Sequence, residues 1–99
     1  MSEVVLLLGA EIEIQAVYTR LAEISPDRAA KFDATIQAAL RQLSDYPFSG
    51  RIYLAHLYRL VLSAYPYALF YSVESNRVFV HWLLDTRQHP EAIRRRLGF

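Results

Sequence analysis

Ninety-nine residues suffice for one domain with a single core, and the chain is read as one unit over residues 1–99. Hydrophobic residues make up 54% of it and aromatics 13%, more than so small a core takes in, so a partner or oligomer interface is the expected outlet. The absence of cysteine excludes a disulfide framework, thiol catalysis and thiolate metal sites, and fits a reducing cytoplasmic setting. Net charge is only +1, but it is polarised: residues 1–50 carry four cations against seven acids, and residues 51–99 seven arginines against three acids. Ten of the eleven cations are Arg, which suits phosphate or carboxylate recognition and also follows from a GC-rich coding sequence.

Glu3 to Leu8 reads as a short strand, central or covered because it barely alternates. Its apolar run, Val4 to Leu8, follows Glu3 rather than a basic segment, and no run approaches a membrane span, so neither a signal peptide nor an anchor is expected. From Gly9 the period becomes helical, with Ile14, Val17, Tyr18, Leu21 and Ile24 as the apolar stripe. Ser25 and Pro26 form a helix start, with Ser25 as N-cap. The second helix presents Phe32, Ile36, Ala39, Leu40 and Leu43, with Asp27 and Lys31 as an i, i+4 pair. So short a link makes an antiparallel helical hairpin.

Asp45 to Gly50 is a loop punctuated by Pro47 and Gly50. Arg51 to Tyr53 is a short strand, and Leu57 to Arg87 then reads as three strands of an antiparallel meander, broken at Ala64–Pro66 and Glu74–Asn76. Counting alternate residues puts Tyr58, Leu60, Leu62, Ala64, Val78, Val80, Trp82 and Leu84 on the core face. Leu57, Arg59, Val61, Arg77, Phe79, His81, Leu83 and Asp85 fall on a mixed face too apolar for ordinary surface. Pro90 opens a last short helix to Leu97. The fold class is α+β: an N-terminal strand and a helical hairpin packed on an antiparallel sheet, with a short C-terminal helix.

No glycine-rich phosphate loop or nucleophile elbow is present, and His56, His81 and His89 stand in no metal-ligand spacing, so no metal or cofactor is expected. What remains is an arginine set: Arg51, Arg59, Arg77, Arg87 and Arg94 to Arg96. It reads equally as a solvated basic edge or as a face for phosphate or acidic groups.

The pattern Pro47-x-x-Gly50-Arg51, Tyr58-Arg59-Leu60-Val61-Leu62, Tyr65-Pro66-Tyr67-x-x-Phe70-Tyr71-x-Val73, Val78-x-Val80 and Asp85-x-Arg87-x-x-Pro90 resembles the RelE/ParE toxin superfamily. The upstream helix hairpin agrees, so the resemblance spans essentially the whole chain. It implies the toxin of a type II toxin–antitoxin pair, a growth inhibitor often described as a plasmid stabilisation protein. The implied partner is a cognate antitoxin whose C-terminal segment wraps the toxin in a hetero-oligomer, with no membrane involved.

The superfamily divides by target. RelE-like members cut mRNA on the ribosome, whereas ParE-like members poison DNA gyrase. RelE-like enzymes place cations at positions matching Arg59, Val61 and Ala68, of which this chain keeps only Arg59. Pro90 to Phe99 holds no tyrosine to act as base. Many ParE-like chains have histidine where this one has Asp85. The expected activity is therefore ParE-like, with a ribosome-dependent nuclease, or a degenerate toxin that only binds its antitoxin, as alternatives. Catalytic candidates under the nuclease reading are Arg59, His81 and Arg87. Leu57, Arg59, Val61, Phe79 and His81 are the expected antitoxin contacts. Arg51, Arg87, Arg94, Arg95 and Arg96 are the expected target contacts.

Overall fold

A computed structural model describes residues 1–99. The elements in chain order are β1 (Glu3–Leu6), α1 (Leu8–Ile24), α2 (Pro26–Asp45), β2 (Arg51–Leu54), β3 (Leu57–Val61), β4 (Tyr67–Glu74), β5 (Arg77–Asp85) and α3 (Pro90–Arg96). They form a five-stranded sheet of order β1-β5-β4-β3-β2. The meander is antiparallel throughout, while β1 joins β5 in parallel at the sheet edge. The uninterrupted apolar character of β1 thus marks a covered strand and not a central one. Val4 and Leu6 pack into the main core beneath the helices.

Ser25 ends α1 and starts α2, its hydroxyl accepting from the Arg28 N–H at 3.3 Å. Capping of this kind is worth about 1 kcal/mol. On α2 the expected stripe is the observed one: Phe32, Ile36, Ala39 and Leu43 are buried and Leu40 is half-buried. Phe32 meets the rings of Tyr65 and Tyr67 edge-on at 5.3 and 6.3 Å, tying α2 to the β3–β4 connection. On α1 the contact face is narrower than expected. Ala10, Ile14, Val17 and Leu21 turn inward at i, i+4, i+7 and i+11, while Tyr18 and Ile24 remain 37% and 64% exposed. The helix is wedged between α2 and β5, and those two neighbours together cover only the one row.

Strand register corrects the expected faces of β5. Tyr71 pairs with Val80 but Phe70 pairs with Trp82, so His81 is an extra residue opposite a single step of β4. A bulge of this kind reverses the alternation beyond it. Trp82 and Leu84, expected on the core face with Val78 and Val80, instead join a second cluster with Ala68, Phe70 and Ile93. Leu83, expected on the mixed face, is 2% exposed in the main core. Asp85 follows it, pairing with Tyr67 on the helix side.

The result is a sheet with two apolar faces. The helical hairpin covers one, and Ile93 and Leu97 at the C-terminal end cover part of the other. Arg96 fastens α3 across the end of α1, with Nη2 2.7 Å from Glu13 Oε1 and the guanidinium 5.5 Å from the Trp82 ring centre.

The β2–β3 hairpin is held from inside the sheet. The Gly50 N–H donates to the buried Tyr71 hydroxyl at 3.0 Å, and a Cβ on Gly50 would sit 2.7 Å from both that oxygen and the Arg59 carbonyl oxygen. Neither neighbour is the loose end of a flexible chain. Gly50→Ala is therefore expected to destabilise the fold by about 1–3 kcal/mol through overpacking. Urea denaturation checks this, and an unchanged midpoint would show that the hairpin absorbs the methyl group.

Candidate functional site

Residues directly paired across strands share a side of the sheet, so the outer face is built of rows. Val61, Ala68 and Leu84 form one row, and Arg51, Arg59, Phe70 and Trp82 the next. Ser72, Phe79 and Val5 form a third. Ile93 of α3 packs with Ala68, Phe70 and Leu84, sealing the middle of the first two rows. The third row and the β2–β3 end of the face have no such cover.

Of the expected antitoxin contacts, Val61 is 55% exposed, and Arg59, Phe79 and His81 are half-buried. All of them stand on this face. Leu57 is only 4% exposed, so in the free chain it supports the face and offers little area itself. Phe79 lies beside Ser72, and Ser72 Oγ is 2.8 Å from His81 Nε2. A hydroxyl both donates and accepts, so this contact survives in either neutral tautomer of the ring. Burial lowers the pKa of His81 below the ordinary histidine value, nearby His56 lowers it further, and Glu74 opposes them.

The arginines separate into engaged and unengaged groups. Arg77 pairs with Glu3 at 2.9 Å and Arg96 with Glu13. Arg87 grips Asp85 through Nε at 3.1 Å and Nη2 at 2.7 Å, while its backbone N–H donates to the same carboxylate at 2.9 Å. The Arg87 side-chain bonds, then the backbone one, hold the Asp85 carboxyl below the usual carboxylate range. Arg51, Arg59, Arg94 and Arg95 take part in none of the four ion pairs. Arg59 lies 5.2 Å over the Tyr53 ring, which abuts Phe70 edge-on at 5.2 Å. Tyr53 was not among the expected site residues. Its aromatic place beside a strand arginine was the available signal.

No group of three or more His, Cys, Asp or Glu side chains is arranged to hold a metal ion. No helix is long and apolar enough to cross a membrane. What the face offers chemically is apolar area bordered by unengaged guanidinium groups, the composition of a protein-binding surface.

The family described as "ParE toxin of type II toxin-antitoxin system, parDE" matches residues 4–90. No curated protein matches the sequence. Among solved structures, one described as "Chromosomal ParDE TA system from P. aeruginosa" shares the fold. Its TM-score is 0.75 at 16% identity, covering 88% of this chain and 98% of that one.

The depressed pKa of His81 fixes the sign of a pH effect. The folded chain resists protonating this ring more than the unfolded chain does. Stability is therefore complete above the ordinary value of about 6.5 and is lost as pH falls below it toward the folded value. Asp85 acts in a separate window, below the ordinary carboxylate range. His81→Gln should flatten the fall in melting temperature between about pH 7 and pH 5. An identical slope in the variant would place the titration elsewhere.

Proposed function

The chain belongs to the ParE toxin family of type II toxin–antitoxin systems, and on that footing we propose that it inhibits growth by binding and poisoning DNA gyrase and is silenced by a cognate antitoxin. The observation that supports binding over RNA cleavage is the packing of Ile93 onto Ala68, Phe70 and Leu84. Nuclease relatives carry a cation at the position of Ala68. Here that position is fully buried beneath α3, and its neighbour Val61 is an exposed aliphatic side chain.

Cleavage by the RNA 2′-hydroxyl needs a base, an acid and charge stabilisation of the phosphorane. Arg59 supplies charge, but His81 belongs to β5, separated from it by β4, and its Nε2 is engaged with Ser72. A missing base alone forfeits on the order of a hundredfold or more in rate. The antitoxin part of the proposal rests on the uncovered apolar area around Val61 and Phe79, with Arg59 to meet an acidic group. An amphipathic segment is the natural cover for such a face.

The unengaged arginines of α3 are the proposed gyrase contacts. Arg96 is tied to Glu13 and Trp82, so removing it would loosen α3. Arg94 and Arg95 carry no such duty. Arg94→Ala with Arg95→Ala, leaving Arg96 in place, should weaken inhibition of supercoiling by about tenfold or more with an unchanged melting curve. Full inhibition by that variant would remove α3 from the gyrase contact. Codon-positioned mRNA cuts in a translating extract, lost on mutating Arg59 or His81, would replace the gyrase reading with the nuclease one. Val61→Asp combined with Phe79→Asp should abolish co-purification with the antitoxin. Unaltered affinity there would move the antitoxin interface off this face.

A further inference from the structure

Arg51 and Arg59 belong to different groups in the sequence, but the register of β2 and β3 makes them direct partners across the ladder. Their side chains leave the same side of the sheet, with Cβ atoms about 5 Å apart, and like charges so placed repel. Neither arginine has an acidic partner or a side-chain hydrogen bond to relieve this. Arg59 is also held in position, laid over Tyr53, whose ring is in turn braced against Phe70. A fixed cation facing a second cation with no counterion is an incomplete arrangement.

The space beside the pair is shaped to complete it. A recess is lined by Ser49, Gly50, Arg51, Arg59, Leu60 and Val61. The Ser49 hydroxyl is engaged by α2, accepting from Gln42 Nε2 at 3.1 Å. The Leu62 N–H points into the sheet, toward the Tyr67 carbonyl oxygen. Backbone groups alternate along a strand, so the N–H and C=O of Val61 point the other way. On that side β2 has already ended, because its first residue, Arg51, faces Arg59. Both arginines therefore line a recess beside a strand edge that offers one backbone donor and one backbone acceptor.

We propose that Arg51 and Arg59 form a carboxylate clamp for an acidic, extended polypeptide segment that lies along the free edge of β3 at Val61. One guanidinium held over Tyr53 with a second beside it favours a planar anion, and charge-assisted bonds of this kind are roughly twice as strong as neutral ones. A peptide is favoured over a nucleic acid by the edge itself. Phosphate groups bring acceptors only, and RNA adds donors solely at its 2′-hydroxyls and bases, whereas a peptide brings a backbone N–H and C=O at strand spacing to meet those of Val61. This deepens the reading of the outer face as an antitoxin surface by naming the chemistry of the segment that docks there. It depends on that reading only for which protein supplies the segment.

The test uses the isolated full chain, so its result does not depend on gyrase or on any antitoxin. The probe is a blocked peptide of alternating valine and glutamate, compared at equal ionic strength with the same peptide carrying glutamine, and with hexauridylate. Binding is read from the concentration dependence of the melting temperature. The valine–glutamate peptide should protect the chain, and the glutamine peptide should bind about tenfold more weakly or worse. Arg51→Glu should melt higher than the parent without peptide, because the new carboxylate relieves the repulsion, and should lose the protection. A variant that melts no higher, or that is still protected, overturns the clamp. Equal protection by the glutamine peptide overturns it as well. Stronger protection by hexauridylate would reassign the pair to phosphate and end the peptide proposal.

Discussion

His81 is the unmatched residue of β5: the step from Phe70 to Tyr71 on β4 is answered by Trp82 and Val80, with His81 between them. That one residue decides the facing of everything after it. Before it, Val78 and Val80 point to the helices; beyond it, Leu83 does, while Trp82 and Leu84 turn outward. Without the reversal the outer face would lack the two side chains against which α3 is built. The C-terminal segment would have little apolar surface to dock on, and the indole that Arg96 covers would face the core. The bulge thus creates the second cluster. Burying its Phe70, Leu84 and Ile93 side chains is worth about 1.5–3 kcal/mol each relative to exposure.

The same device acts at the other end of the sheet. Leu54 pairs with Leu57 across a two-residue turn, and a regular hairpin would carry that register on to set Arg51 against Leu60. An irregularity at Tyr53 shifts it, so Arg51 meets Arg59. Two local departures from regular pairing therefore give the outer face its character, one supplying apolar bulk and the other juxtaposing cations. The remaining arginines sort by geometry. Arg77, Arg87 and Arg96 are matched by Glu3, Asp85 and Glu13 in exposed or partly exposed pairs, which solvent screens. Arg51, Arg59, Arg94 and Arg95 have no such match within the chain.

Most of the fold was legible because it rests on periodicity. The stripe of α2, the Ser25 cap and the hairpin breaks all follow from side-chain spacing, and they stand where the spacing puts them. Alternation read β3 correctly through Leu62 but carried Ala64 to the core face, where it is instead an exposed turn residue with positive φ, and it read β5 as far as Val80. It failed beyond, because nothing in Val80-His81-Trp82 marks a bulge: neither glycine nor proline is present, and each residue suits a strand. The edge position of β1 was hidden for a related reason, since an apolar run reads alike whether neighbours cover one edge or two. At the site, individual residues were legible and their grouping was not. Val61, Phe79, Arg59 and His81 could be placed on one face by counting. The meeting of Arg51 with Arg59 depends on a register that sequence does not encode in any single residue.

The antitoxin is proposed to engage the outer sheet face around Val61 and Phe79. Amide hydrogen exchange on the free chain and on its complex with the cognate antitoxin tests this directly. Added protection is expected at Val61 and the following residues of the β3 edge, and around Phe79 and His81. Protection concentrated on α1, with the β3 edge exchanging as it does in the free chain, would contradict it.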